Sequence, residues 1–180
     1  MVRAEGIVEG ARVVASPNCD ARPGDAAPSL LLVHCISLPP GKFGGDSVER
    51  LFCNALDASA HPYFEGLRGL RVSSHFLVRR SGELVQFVPV YLRAWHAGTS
   101  SWRGRPNCND FSIGVELEGT EDSAFAPSQY ERLIRLITTL RVSIPLRSWA
   151  AHSDVAPDRK SDPGPHFDWR AVLAEIARQR

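Results

Sequence analysis

Lysine is almost missing from this chain: Lys42 and Lys160 are the only two among 21 basic residues, the other 19 being arginine. In so arginine-rich a sequence each ammonium group is a position to follow. Sulfur is scarce as well, with one methionine and four cysteines, Cys19, Cys35, Cys53 and Cys108. They form no C-x-x-C pair and no zinc-ribbon spacing, which excludes a structural zinc module built on thiolates. A chain of this length buries about 70% of its unfolded surface without covalent staples. Free thiols in a reducing compartment are therefore expected. Charge of one sign is lacking too, because 21 basic against 20 acidic residues leave a net +1. That excludes a protein that coats nucleic acid. No window approaches the roughly 20 apolar residues of a membrane helix. Glu5 and Glu9 interrupt the apolar stretches of MVRAEGIVEGARVV, unlike the apolar core of a signal peptide. The expectation is a cytoplasmic protein with no membrane, nucleic-acid or protein partner.

What is present reads as one domain, since 180 residues fall within the usual size of one. Residues 16–28, SPNCDARPGDAAP, hold three prolines and a glycine and are expected to form a loop. Residues 1–28 are expected to be a leader packed on or near a domain spanning 29–180. SLLLVH, from Ser29 to His34, is a continuous apolar run suited to a strand buried on both faces. It stops at SLPPGKFGG, where prolines and glycines rule out regular structure. Apolar residues at 48, 51, 52 and 56 predict a short helix over 47–56. FLVRR and ELVQFV around Ser81-Gly82 predict a hairpin within 75–90. SIGVEL alternates as a strand over 112–117. Pro127 opens a helix to Leu140 whose buried face is Tyr130, Leu133, Ile134, Ile137 and Leu140. Residues 148–152 predict a last strand, and Asp168 caps a final helix with Trp169, Val172, Leu173 and Ile176 as its buried stripe. The fold class is α/β: a single domain with a central mixed β-sheet flanked by α-helices.

Two of the six histidines share a setting. His34 and His152 each end an apolar strand just before an irregular loop, which is where open α/β sheets place their sites. A histidine there is also a common core residue. In the second loop, DRKSDPGP, Lys160 and Asp162 stand two apart and point the same way if the backbone is extended, with Pro163 and Pro165 limiting its shapes. The plain alternative is an exposed salt bridge worth under about 1 kcal/mol. Were His34, His152 and Asp162 to converge, they would make a two-nitrogen, one-oxygen set with an open position, as in catalytic zinc sites. Glu116, inside an apolar strand, would be raised by desolvation toward the range of a general base. Its alternative is the solvated face of an edge strand that also carries Glu118. Lys160 is the candidate for stabilising an oxyanion. Trp95 and His96, with Trp102, could wall a site for a sugar or peptide, or pack as core.

Five segments carry a family resemblance: LLVHCISLPPGKFGG at 31–45, AHPYFEGLRGLRVSSHFLVRR at 60–80, RAWHAGTSSWRGR at 93–105, CNDFSIGVELEGT at 108–120 and APDRKSDPGPHFDW at 156–169. Together they resemble the AmpD family of 1,6-anhydro-N-acetylmuramyl-L-alanine amidases, over residues 6–175. The wider relatives are zinc amidases of the phage-lysozyme and peptidoglycan-recognition-protein type, which share a mixed sheet flanked by helices. The resemblance implies zinc held by His34, His152 and Asp162, with Glu116 assisting catalysis and Lys160 stabilising the transition state. It implies hydrolysis of the amide between the lactyl group of anhydro-muramic acid and L-alanine in cytoplasmic muropeptides during peptidoglycan recycling. It also implies that failure of this step induces a chromosomal β-lactamase where the matching regulator exists. Arg71, Trp95 and His96 are then expected to bind substrate. The sequence departs from the family pattern at Cys35, where an asparagine is expected, and at Asn107, in place of a basic residue. The competing readings are a muropeptide-binding module without catalysis and an amidase acting on intact cell wall. The first is opposed by filled positions at all three ligands and at Lys160.

Overall fold

In the computed structural model, which describes residues 1–179, two seven-residue strands form the centre of the molecule. The elements in chain order are β1 (Arg12–Val13), β2 (Cys19–Ala21), β3 (Leu30–Ile36), α1 (Ser47–Phe52), α2 (Pro62–Glu65), β4 (Phe76–Val78), β5 (Leu84–Gln86), β6 (Leu92–Ala94), β7 (Ser101–Trp102), β8 (Arg105–Pro106), β9 (Ser112–Glu118), α3 (Pro127–Ser143), β10 (Ser148–Ala151), α4 (His152–Val155) and α5 (Trp169–Arg178). The main sheet runs β1-β5-β4-β9-β3-β10. Strands β4, β9, β3 and β10 are parallel, β5 is antiparallel to β4, and β1 is parallel to β5. This is the expected mixed sheet flanked by helices.

The two-residue period of a strand divides the central pair into two faces. Leu31 and Val33 of β3 and Ile113, Val115 and Leu117 of β9 pack under Leu133, Leu136, Ile137 and Leu140 of α3 and Val172 and Ile176 of α5. Leu30 and Leu32 face the other way, against Ala97, Cys108, Phe111 and Val155. His34 and Glu116 lie on this second face. The alternation read in SIGVEL is real, but its polar side does not meet water: all seven residues of β9 are buried, because the strand lies inside the sheet and not at its edge.

Several boundaries differ from the sequence expectation. The helix after the Pro/Gly loop ends at Phe52, where Asn54 turns left-handed with φ 58°. Helix α3 continues past Leu140 to Ser143. Its buried Gln129 donates to the carbonyls of Val78 and Glu118 and so ties the helix to the ends of β4 and β9. Asp168 does cap α5, accepting from the Ala171 N–H at 2.9 Å. Leu173, however, is 42% exposed and lies off the buried stripe. The segment expected as a loop over 16–28 contains β2, paired antiparallel with β6. Its Asn18 is buried, donating to the carbonyls of Phe52 and Val72. All four cysteines are free thiols.

A buried ion network fastens the Pro/Gly loop to the sheet. Glu118 accepts from Arg79 at 3.0 Å, from the Gly44 N–H at 2.7 Å and from the Arg80 N–H at 3.1 Å. Arg79 also donates to the Gly45 carbonyl and pairs with Glu49, which Arg12 holds from the other side. Arg79→Ala would leave the Glu118 carboxylate without its cation. Urea denaturation should show a loss of about 3–5 kcal/mol, the usual consequence of breaking a buried pair, and a loss under about 1 kcal/mol would contradict this role.

Candidate active site

Strand register brings the site together. The β3/β9 pairing sets His34 beside Glu116, and the β3/β10 pairing sets Val33 beside Ala151, so His152 follows at the level of His34. The strand expected over 148–152 stops one residue early. The Asp154 carboxylate accepts the Ala151 N–H at 2.8 Å, and His152 opens α4 instead. Asp162 returns on a turning segment, where the Ser153 N–H donates to the Asp162 carbonyl at 3.1 Å and the Lys160 N–H to the Ala156 carbonyl at 2.9 Å. Turns on either side of Lys160 and Ser161 bring Asp162 back to the histidines. Gly164 makes the return possible: its φ is +84°, and a Cβ there would come within 2.7 Å of the Glu121 carbonyl oxygen.

The three side chains converge on one point. His34 Nδ1 lies 2.9 Å from His152 Nδ1, and each lies 3.2 Å from Asp162 Oδ2. A tetrahedral site with ligands at about 2.0–2.1 Å places its donor atoms about 3.3 Å apart, so this triangle has the dimensions of one face of such a site. The tautomers agree. His152 Nε2 lies 3.2 Å from the Ala97 carbonyl, which only an Nε2–H can satisfy, leaving its Nδ1 as a lone pair. Burial lowers His34 to about 4, so that it is neutral at neutral pH. Burial alone would raise the Asp162 carboxyl, but the two imidazoles that face it outweigh that and hold it well below the ordinary carboxylate range. Two imidazole nitrogens and a carboxylate oxygen facing one another at these distances form a group able to hold a shared cation.

Beside this triad, Glu116 and Glu118 show how differently one strand face can treat two carboxylates. Both are buried, but the Glu118 carboxylate is held by three partners, whereas Glu116 Oε2 is buried with none. Burial, reinforced by the charge of Asp162 and opposed by Lys160, pushes the Glu116 carboxyl well above the usual range. An unpartnered, proton-retaining carboxyl in a cleft makes Glu116 a candidate for proton transfer. The cleft has a volume of about 590 Å³ and includes His34, Glu116, His152, Lys160 and Asp162 in its lining, with Leu51, Phe52, Leu67 and Leu70 forming an apolar wall. Lys160 is exposed on its rim.

The remaining expected residues are placed differently. His96 lines the cleft, but His34 Nε2 and Ser112 Oγ, at 2.9 and 3.1 Å, engage its two ring nitrogens. Trp95 is not among the cleft-lining residues; its indole N–H donates to Asp20 at 3.2 Å, behind β6. Arg71 lies in an adjoining hollow of about 340 Å³ that shares Leu51, Leu67 and Leu70 with the cleft. Cys35 lines the cleft, and burial pushes its thiol up, away from thiolate character. Asn107 takes a left-handed backbone, φ 58°, at the start of a 3-10 turn, a conformation asparagine tolerates better than most residues. Sequence reasoning missed Asn109, whose side-chain oxygen accepts the N–H groups of His96 and Ala97. It also missed Gly114, where a Cβ would lie 2.6 Å from the His96 ring. A glycine inside an apolar strand was the available sign of such a close approach.

Comparison with known proteins agrees with this geometry. The family model described as N-acetylmuramoyl-L-alanine amidase matches residues 24–165. The 1,6-anhydro-N-acetylmuramyl-L-alanine amidase AmpD of Citrobacter freundii is 53% identical over 98% of this chain and 95% of its own length. A crystal structure of a selenomethionine derivative of AmpD superposes with a TM-score of 0.95 at 51% identity, covering 98% of this chain and 99% of that one. The amidase AmiD from E. coli, solved in complex with anhydro-N-acetylmuramic acid-L-Ala-D-γ-Glu-L-Lys, matches 82% of this chain and 57% of its own with a TM-score of 0.60 and 31% identity. By sequence, fold and the residues gathered in its cleft, the chain belongs to the N-acetylmuramoyl-L-alanine amidase family, among its AmpD members.

Proposed function

We propose that the chain is a zinc amidase that hydrolyses the bond between the lactyl group of 1,6-anhydro-N-acetylmuramic acid and L-alanine, in cytoplasmic muropeptides undergoing peptidoglycan recycling. The observation that carries this reading is the meeting of His34 Nδ1, His152 Nδ1 and Asp162 Oδ2 beside the unpartnered Glu116. Near-full-length similarity to amidases acting on this bond supports it. No helix among the described residues is long and apolar enough to cross a membrane.

His34, His152 and Asp162 would hold the zinc, a three-ligand set of the catalytic type. When bound, zinc polarises the scissile carbonyl and brings the pKa of water toward about 7. Glu116 takes the proton from the attacking water and passes it to the departing nitrogen of L-alanine, using the proton affinity that burial confers. Lys160, on the cleft rim, meets the negative charge that develops on the carbonyl oxygen. The apolar wall of Leu51, Phe52, Leu67 and Leu70 seats the sugar and its lactyl methyl. Because the net charge is only +1, an anionic peptide must be met by local cations, for which Arg71 in the adjoining hollow is the candidate.

Asp162→Ala should bind zinc too weakly to retain it through gel filtration, and should release no peptide from anhydro-muramyl tripeptide. Full zinc content in that variant would contradict the ligand set. Glu116→Gln should keep its zinc and lose about 10²–10⁴-fold in turnover; a rate near wild type would show that Glu116 moves no proton. In the metal-free protein the same variant has a stability signature. The unfolded carboxyl titrates near about 4.3, and the folded one higher. Between those values the folded protein keeps a proton that the unfolded chain has released, so wild-type stability falls as pH rises. Thermal melts should therefore show Glu116→Gln more stable than wild type at about pH 8, with the gap closing at about pH 4.

A further inference from the structure

We infer that His96 is a positioning residue for the metal centre, fixing His34 in the tautomer whose Nδ1 lone pair faces His152 and Asp162. This rests on the zinc-amidase reading above. The ring of His96 stands edge-on to that of His34, with centroids 5.0 Å apart and planes at 89°. His34 Nε2 lies 2.9 Å from His96 Nδ1, and His96 Nε2 lies 3.1 Å from Ser112 Oγ. A neutral imidazole carries one N–H, so this chain of bonds can run in only two directions. If His34 Nε2–H donates to His96 Nδ1, then His96 Nε2–H donates to Ser112 Oγ, and His34 Nδ1 is bare. In the reverse direction His34 carries its proton on Nδ1, between His152 Nδ1 at 2.9 Å and Asp162 Oδ2 at 3.2 Å, and that nitrogen has no lone pair to give a cation. His152 has a backbone carbonyl to settle the same question. His34 has His96.

The surroundings of His96 are built to hold its ring there. Asn109 Oδ1 accepts the N–H groups of His96 and Ala97 at 3.1 and 2.8 Å, clamping the backbone on both sides of the side chain's attachment. Gly114, in the middle of β9, leaves the space the ring occupies: a Cβ would lie 2.6 Å from both Cγ and Nδ1 of His96. The Gly114 N–H is in turn held by His75 Nδ1 at 3.0 Å. With both ring nitrogens engaged by protein atoms, His96 has no hydrogen bond left to offer a substrate. Its place in the cleft is that of a support for His34.

The test is zinc affinity, measured by competition with a chromophoric chelator on wild type and variants whose thermal melts confirm folding. His96→Leu keeps the bulk and removes the acceptor, and should lose about 10–100-fold in affinity, the usual effect of deleting a ligand's hydrogen-bond partner. His96→Asn places an oxygen near the former Nδ1 and should recover most of the loss. Gly114→Ala displaces the ring without changing it and should weaken zinc in the same direction. Nitrogen-15 NMR of zinc-loaded wild type needs no substitution: it should show His34 with a slowly exchanging Nε2–H. If His96→Leu binds zinc within about threefold of wild type, or if His34 carries its proton on Nδ1, the inference is overturned while the metal centre stands. If wild type itself binds no zinc, the metal-centre reading falls and this inference with it.

Discussion

The parallel register of β3 between β9 and β10 is the constraint on which the site depends. Because side chains alternate along a strand, a one-residue slip of β3 would turn His34 under α3 and α5, away from Glu116 on β9. The slip is prevented on the opposite face. Leu31, Val33, Ile113, Val115 and Leu117 are packed beneath the two long helices, and each buried side chain of this kind contributes about 1.5–3 kcal/mol. Core packing on one face thus sets the position of the chemistry on the other. The strand ends then differ as their tasks require: β3 runs on to Ile36, while β10 breaks at His152 because Asp154 caps a helix there.

The same face carries groups that burial treats in opposite ways. Glu118 sits among three donors and anchors the loop over the strand ends, a structural use of a buried carboxyl group. Glu116, two residues earlier, has an oxygen without a partner and a carboxyl that resists ionisation. An arrangement of that kind costs stability and persists where function needs it. His34, Asp162 and Glu116 are each shifted by burial or by one another, which is the electrostatic setting that the proposed zinc amidase requires.

Much of this was legible in the sequence, and the limits have physical causes. LLLVH and SWAA are apolar runs that stop at irregular segments, so His34 and His152 can be read as strand-end histidines. Their meeting depends on β10 lying beside β3, a pairing between segments 118 positions apart, which local periodicity does not encode. The family resemblance supplied that step. Glu116 is legible as a carboxyl in an apolar strand, yet only the sheet order shows that its face is covered. Trp95 and His96 are adjacent in sequence but serve different neighbours, because successive side chains point apart: the indole reaches back to Asp20, the imidazole forward to His34. Of the two lysines, Lys160 reaches the cleft rim while Lys42 sits exposed in the loop after Pro39-Pro40.

The most direct test of the account is anomalous diffraction at the zinc edge from crystals of the zinc-loaded protein. The account predicts a single strong peak bounded by His34 Nδ1, His152 Nδ1 and Asp162 Oδ2, with Glu116 close by and not coordinating. A peak ligated by Cys35 or Glu116 in place of one of these, or no peak in the cleft, would contradict it.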